Sequence, residues 1–157
     1  MPAREQAISG LLDTLYQTLR YFDQPVNLEK SYAPGKWTAR EILVHLSDCE
    51  AVLLERLRRL ACEEKPLLVA FDENRWAATL SYRTRDLGLA RLQYEAARRN
   101  VLELARMLDA SYDAKAGTHS EAGTRTFAQV LNHLAEHNAH HLNQLKAIAE
   151  GRTWTKK

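Results

Sequence analysis

Apolar residues recur at spacings of three and four along four long stretches of this chain, the pattern of helices that bury one face. The first stretch covers about residues 4–22, and the second begins at Ala39 and continues past Leu60. The third carries a stripe from Leu87 to Leu108, and the fourth follows Thr126. Residues 64–83 lack a clear period, although 73–81 has the composition of a short helix. The pattern therefore predicts four long helices.

Polar residues mark where these helices begin and end. Thr38 with Glu41, and Thr126 with Gln129, have the spacing of a capping box, in which each side chain satisfies a free amide of the first turn. Thr84 is the predicted cap of the third helix, and Gly151 suits the C-terminal cap of the fourth. Residues 23–37 and 111–125 are predicted to be loops.

The predicted fold class is all-α, with the four helices packed as a bundle. The 157 residues, 45% of them hydrophobic and with only 6 Gly and 4 Pro, fit one helix-rich domain over 1–157 with a core of about 5–150. Such a domain buries roughly 70% of its unfolded surface, which is enough for a core of its own. Extended β structure is not expected.

Charge and cysteine content limit the binding partners and the cellular location that the sequence suggests. The net charge is +2, from 22 basic and 20 acidic residues, so no nucleic-acid or anionic-membrane partner is indicated. No apolar run approaches the length of a membrane span, and no secretory h-region follows Met1. Cys49 and Cys62 lie 13 positions apart on one predicted helix and cannot bridge each other. A cytoplasmic location is therefore expected.

Histidines on the inward faces of two helices provide the main candidate chemistry. His137 and His141 lie four residues apart on the apolar stripe of the fourth helix, where two imidazoles can converge on one ion. His45 lies on the inward face of the second helix and supplies a third ligand. Three protein ligands leave a fourth position for water or substrate, as in catalytic metal sites. The alternative is that these are buried histidines bonded to carbonyls and carboxylates.

A second pattern overlaps the same helix. Residues 133–137 spell H-x-x-E-H, the inverted zinc-peptidase motif, which would make His133 and His137 the ligands and Glu136 the general base. Such a short pattern often arises by chance in a histidine-rich helix, and the chain has no evident room for a peptidase scaffold with a third, downstream carboxylate ligand. The mean direction of the apolar stripe also lies nearest His141 and leaves His133 turned toward solvent.

Four segments together resemble the DinB-like (YfiT-like) metal-binding four-helix bundles. They are residues 37–48, 71–76, 119–126 and 137–144, and the resemblance extends over about residues 5–150. It implies an up-up-down-down bundle, frequently a homodimer, with one divalent metal held by a histidine of the second helix and two of the last. Carried over by position, these are His45, His137 and His141.

The same resemblance implies a range of activities. Characterised relatives are transferases or isomerases that use low-molecular-weight thiols such as bacillithiol or mycothiol, and others are described as metal-dependent hydrolases. The leading hypothesis is a metal-dependent thiol S-transferase for small electrophilic molecules, with Zn, Ni or Fe as the metal and Asp48 as a base or as an orienting group. The alternatives are a metal-dependent hydrolase and a non-catalytic, stress-linked binding or dimerisation module stabilised by metal.

Overall fold

The computed structural model describes residues 3–155 and is built mainly of helices. The predicted domain limits, residues 1 and 157, lie outside this range. The helices are α1 (Ala3–Asp23), α2 (Ala39–Cys62), α3 (Glu73–Thr79), α4 (Leu87–Met107) and α5 (Phe127–Ala149), with a short 3-10 helix at Ala110–Ala114. The strands are β1 (Leu67–Leu68), β2 (Ala116–His119) and β3 (Gly123–Thr126). The prediction of an all-α four-helix bundle is confirmed, with α1, α2, α4 and α5 as its long helices.

Contacts between the long helices give their order and direction. Each of α1 and α2 packs mainly against α4 and α5, so α1 and α2 stand at opposite corners of the bundle. Arg4 near the start of α1 bonds to the carbonyl of Ala105 near the end of α4, whereas Asp23 at the end of α1 pairs with Arg91. Helices α1 and α4 are therefore antiparallel.

The directions of α2 and α5 follow from the same kind of pairs. Arg40, at the start of α2, reaches the carbonyl of Arg85, and Arg58 near its end reaches Asn100, so α2 and α4 are parallel. Leu53 and Val130 line one cavity, while Trp37 lies against His141, so α2 and α5 are antiparallel. In chain order the long helices run up, down, down and up.

This order corrects the up-up-down-down arrangement that the resemblance implied. The loop between α1 and α2 reverses the direction of the chain. Residues 63–86 instead connect the end of α2 with the start of α4 at the opposite end of the bundle. That long crossover places α4 parallel to α2, and it carries α3 along the side of the bundle. Loop length in the sequence does not say whether a connection turns the chain or crosses over.

Capping residues fix the ends of the helices. Both predicted capping boxes are present, with Thr38 accepting from the amide of Glu41 and Thr126 accepting from the amide of Gln129. The cap of α4 is Asp86, which accepts from the amide of Leu89, and the prediction of Thr84 at this position is wrong. Thr84 donates instead to the carbonyl of Ser81 in the preceding turn. Gly151, with φ of 66°, follows the end of α5 as predicted.

A small three-stranded sheet corrects the expectation that extended structure is absent. Strands β2 and β3 form an antiparallel hairpin within the predicted polar loop, and β1 adds to β2 in parallel. Gly117 is required in β2, because a Cβ there would lie 2.5 Å from the carbonyl oxygen of Pro66. The sheet closes the end of the bundle where α2 ends and α5 begins.

The bundle core is mainly apolar but includes a buried ion pair. Arg98 of α4 and Glu50 of α2 are both fully enclosed, with Nε–Oε1 and Nη2–Oε2 distances of 2.5 and 2.8 Å. Arg98 also donates to the carbonyl of Leu11 and to the hydroxyl of Thr14. This network joins α1, α2 and α4. Among the described residues, no helix combines the length and apolar character needed to cross a membrane.

Candidate metal centre

Three imidazole rings from two helices meet inside the bundle. His45 comes from the second turn of α2, and its Nε2 lies 3.1 Å from the Nε2 of His137 on α5. The ring centroids of His137 and His141 are 4.5 Å apart, and those of His45 and His141 are 4.8 Å apart. The structure therefore brings together the three histidines that the sequence singled out.

The spacing of the rings matches the requirement of a single ion. Nitrogens about 2.0–2.1 Å from a tetrahedral metal lie about 3.3 Å from each other, and the ring centroids then lie about 5 Å apart. The observed nitrogen separation of 3.1 Å and centroid separations of 4.5 to 5.1 Å agree with these values. The donor set is chemically suitable as well, since neutral imidazole binds Zn, Ni and Fe.

Burial keeps these rings neutral, so that one nitrogen of each ring carries a lone pair. Desolvation is the main cause in each case, and it lowers the pKa of His45 to about 3, of His137 to about 2 and of His141 to about 4. For His45 and His137, the positive charge that neighbouring imidazoles would carry lowers the pKa further. Metal ions bind the neutral form of imidazole, so the cluster is ready for a cation at neutral pH.

Gln144 fixes the tautomer of one ring. The Nδ1–H of His141 donates to the side-chain oxygen of Gln144 over 2.7 Å, and both residues are buried. Because Nδ1 carries the proton, Nε2 of His141 keeps its lone pair for a ligand. Metal-binding histidines commonly have this kind of supporting hydrogen bond. The Nδ1 of His137, in contrast, is enclosed and has no hydrogen-bond partner within residues 3–155.

Trp37 and a cavity border the cluster. The indole of Trp37 lies 4.6 Å from the ring of His45 and stacks over His141 at 6.4 Å between centroids. A cavity of about 640 Å³ extends outward from His137 and His141, and Lys36, Glu73 and His140 are among the residues that line it. The cavity is large enough for a small molecule to reach the imidazoles.

Two further potential ligands lie beside the histidines, and the sequence analysis did not identify them. Ligand atoms of Cys49, Glu73, His45 and His137 all lie within 4.8 Å of one another. Burial raises the pKa of the Cys49 thiol strongly, and burial together with Asp72 raises the pKa of Glu73. Cys49 stands four residues after His45, a spacing that could have revealed it, whereas nothing in the sequence connects Glu73 to α2.

His45 and His137 belong to both possible ligand sets, and the third ligand distinguishes them. His141 is neutral and oriented by Gln144, whereas the Cys49 thiol must lose a proton in a desolvated environment before it binds. The geometry therefore favours His141 as the third ligand and leaves Cys49 and Glu73 beside the site.

Other predicted residues lie elsewhere. Asp48 accepts hydrogen bonds from the Tyr82 hydroxyl at 2.7 Å and from Gln93 at 3.1 Å, and Arg85 lies 3.7 Å away. Asp48 thus joins α2 to α4 and the segment before it, and none of these contacts reaches an imidazole of the cluster. Its role as a base stays a prediction.

The peptidase-like motif is not assembled as a ligand pair. The ring of His133 lies 5.9 Å from that of His137, farther than His141, and His133 is exposed at the edge of the cavity. Glu136 is also exposed. The structure therefore favours His137 with His141 over His133 with His137.

The fold and the cluster define the class of protein: a four-helix bundle with a possible metal site built from its second and last long helices. The model of one family, described as the DinB superfamily, matches residues 6–145. The chain belongs to the DinB superfamily.

Similar proteins support this assignment. A protein of Oceanobacillus iheyensis, named as a proposed metal-dependent hydrolase, is 27% identical over 127 residues, which cover 81% of this chain and 73% of that protein. A protein of Bacillus mycoides with the same kind of name is 23% identical over 149 residues, or 95% of this chain and 85% of its own.

Two solved structures share the fold. YfiT from Bacillus subtilis, described as a proposed metal-dependent hydrolase with an unusual four-helix bundle topology, superposes with a TM-score of 0.86 at 20% identity, covering 97% of this chain and 89% of YfiT. TT2238, a four-helix bundle protein, gives 0.65 at 23% identity over 92% of this chain and 98% of its own.

Proposed function

We propose that this protein is an enzyme in which His45, His137 and His141 hold one divalent metal ion, and that it transfers a small thiol to an electrophilic molecule. The observation that carries the proposal is the convergence of the three rings, with two Nε2 atoms 3.1 Å apart, beside a cavity open to a substrate. Zn, Ni or Fe would suit the three nitrogens.

The metal would lower the pKa of a bound thiol or water and so supply a nucleophile at neutral pH. The protein positions its own groups for this task. Gln144 orients His141, and the indole of Trp37 packs against the rings of His45 and His141. The carboxylate of Glu73 lies next to the cluster, where it can accept the proton that the thiol releases.

The names of the relatives favour a second candidate, hydrolysis at the same site. Water would then replace the thiol as the nucleophile, while the histidines, Gln144 and Trp37 would keep the same roles. A non-catalytic, metal-stabilised module is the third possibility, and it requires only the metal. The three functions differ in their need for a thiol and in whether any turnover occurs.

The first experiment measures metal content. Protein purified without a nickel column is examined by elemental analysis as wild type, His45→Ala, His141→Ala and His133→Ala. We expect close to one metal ion per chain in the wild type and in His133→Ala, and loss of metal in the other two with helical content retained. Full metal content in His45→Ala would refute the proposed ligand set.

The second experiment measures turnover. An aryl halide is offered to the metal-loaded wild type with a panel of low-molecular-weight thiols, and an activated ester is offered without thiol. We expect thiol-dependent turnover that His45→Ala abolishes. Ester hydrolysis alone would favour the hydrolase, and metal-dependent stability with no turnover in either assay would favour the structural module.

A further inference from the structure

A second cavity, separate from the one described above, lies where α2, the β2–β3 hairpin and the first half of α5 meet. Its volume is about 500 Å³. The polar side chains around it are Arg56, His119, Arg125, Gln129 and His133. Among the described residues that line this cavity there is no carboxylate, and the charged side chains are the guanidinium groups of Arg56 and Arg125. The cavity is therefore suited to an anion.

Arg56 is a buried cation whose neighbouring carboxylate, that of Glu55, pairs with Arg59 instead. Its relative exposure is 8%, and its Nη2 donates to the carbonyl of Val69 over 2.7 Å. Its Nε is enclosed and has no hydrogen-bond acceptor among the residues that the structure describes. Among residues 3–155, the structure shows no ion pair of Arg56 with a carboxylate, unlike the buried Arg98, which pairs with Glu50. Burying a cation without a counterion is costly, and an acceptor from outside the chain would offset that cost.

The other donors of this cavity are also available. The Nδ1 of His119 accepts from the amides of Glu121 and Ala122 at 3.3 and 3.2 Å, so in the neutral ring the proton is on Nε2, which is free to donate. Within the described part of the chain, the one acceptor that Arg125 contacts is the carbonyl of its neighbour Thr124. Burial first, and then the charges of Arg56 and Arg125, lower the pKa of His119. The positive charges of Arg56 and Arg125 therefore both act on the ring of His119.

We propose that this cavity is an oxyanion subsite, in which Arg56 and Arg125 bind a carboxylate or phosphate group with the help of His119. Guanidinium presents a planar pair of donors that matches either oxyanion. His133 lines both this cavity and the one at the metal centre, and it stands one helical turn from His137. If the proposed function holds, the subsite binds the acidic end of a substrate or co-substrate whose reacting atom lies at the imidazoles.

The test is calorimetric titration of metal-free protein with inorganic phosphate and, separately, with acetate. Chelator is removed by gel filtration, because chelators are themselves anions, and chloride keeps the ionic strength constant. The variants are Arg56→Met, Arg56→Lys and Arg125→Met. Arg58→Met is the matched control, since Arg58 lies on the same helix, is exposed and bonds to Asn100.

We expect saturable binding of at least one of the two anions to the wild type, and the stronger one identifies the group that the subsite prefers. Arg56→Met and Arg125→Met should each weaken anion binding by about tenfold or more. Arg56→Lys should weaken it by less, because lysine keeps the charge but lacks the planar pair of N–H donors. Arg58→Met should leave it unchanged. Because Arg56 also bonds to Val69, Arg125→Met serves as the variant in which this backbone contact is intact.

Two results would overturn the proposal: no saturable binding of either anion to the wild type, or equal affinities in the wild type, Arg56→Met and Arg125→Met. The measurement needs neither metal nor turnover. Its failure is therefore distinguishable from failure of the proposed function, which depends on the metal content and activity of the His45→Ala protein.

Discussion

The hydrogen bond from His141 to Gln144 gives a quantitative prediction for metal affinity. In Gln144→Leu, the buried Nδ1–H of His141 loses its acceptor, 2.7 Å away in the wild type, while the apolar volume is largely kept. Leaving a buried donor unsatisfied costs about 1–3 kcal/mol. Loss of such a supporting partner of a metal ligand weakens binding by about 10–100-fold. A tenfold change is about 1.4 kcal/mol, so this loss of affinity is about 1.4–2.8 kcal/mol of binding free energy, whereas the unsatisfied donor also destabilises the metal-free fold.

The assay is competition for zinc between the metal-free protein and a chromophoric chelator of known affinity. We expect Gln144→Leu to bind zinc about 10–100-fold more weakly than the wild type. Gln144→Glu should stay within about tenfold of the wild type, because a carboxylate oxygen can still accept from Nδ1. Asn143→Ala is the control, since Asn143 is the exposed neighbour on the same helix.

Circular dichroism of the metal-free proteins shows whether the substitutions leave the fold intact. If Gln144→Leu folds and binds zinc as tightly as the wild type, then His141 is not a ligand whose orientation depends on Gln144. In that case the set that contains Cys49 and Glu73 becomes the better assignment.

Three further predictions concern stability. Arg98→Met should lower the free energy of unfolding in urea by about 3–5 kcal/mol, because Glu50 is left as a buried charge. Adding Glu50→Leu should restore much of the loss, and an unchanged unfolding midpoint for Arg98→Met would contradict the prediction. Asp86→Ala should lower the free energy of unfolding by about 1 kcal/mol because a helix cap is lost, whereas Thr84→Ala should lower it by less than about 0.5 kcal/mol. The reverse order would indicate that Thr84, as predicted from the sequence, is the cap. In metal-free protein, the unfolded chain takes up protons on its histidines below about pH 6.5, whereas the folded cluster, with its lowered pKa values, does not. The free energy of unfolding should therefore fall as the pH decreases from 6.5 toward about 4. His137→Ala should show a shallower fall in the same titration, and equal slopes would argue against the buried neutral ring.

Local sequence patterns were sufficient for the helices and for the inward direction of the key side chains. Both capping boxes lie where the spacing of Thr38 and Glu41, and of Thr126 and Gln129, placed them. The apolar period of α5 correctly distinguished the buried His141 from the exposed His133. These features depend on contacts within about one helical turn, so the sequence near each residue contains the necessary information.

Some errors arose where local signals competed or were weak. Thr84 and Asp86 are both capping residues, and which of them starts α4 depends on how the chain arrives from α3. The hairpin of β2 and β3 has short strands, and it is held by contacts with β1 and with Pro66 that residues 111–125 alone do not reveal. The role predicted for Asp48 from its place near His45 stays a prediction, and its partners Tyr82 and Gln93 come from later in the chain, where the sequence near Asp48 does not reveal them.

The sequence by itself determined the helical class, the helix starts at Ala39 and Phe127, and the three histidines that face inward. Only the tertiary structure decided the up-down-down-up order, the nearness of Glu73 to the imidazoles, and the cavity lined by Arg56 and Arg125. The physical reason is range. Helix periodicity and capping act over a few residues, whereas these arrangements depend on which helix faces pack together, and packing joins residues that are far apart in the chain.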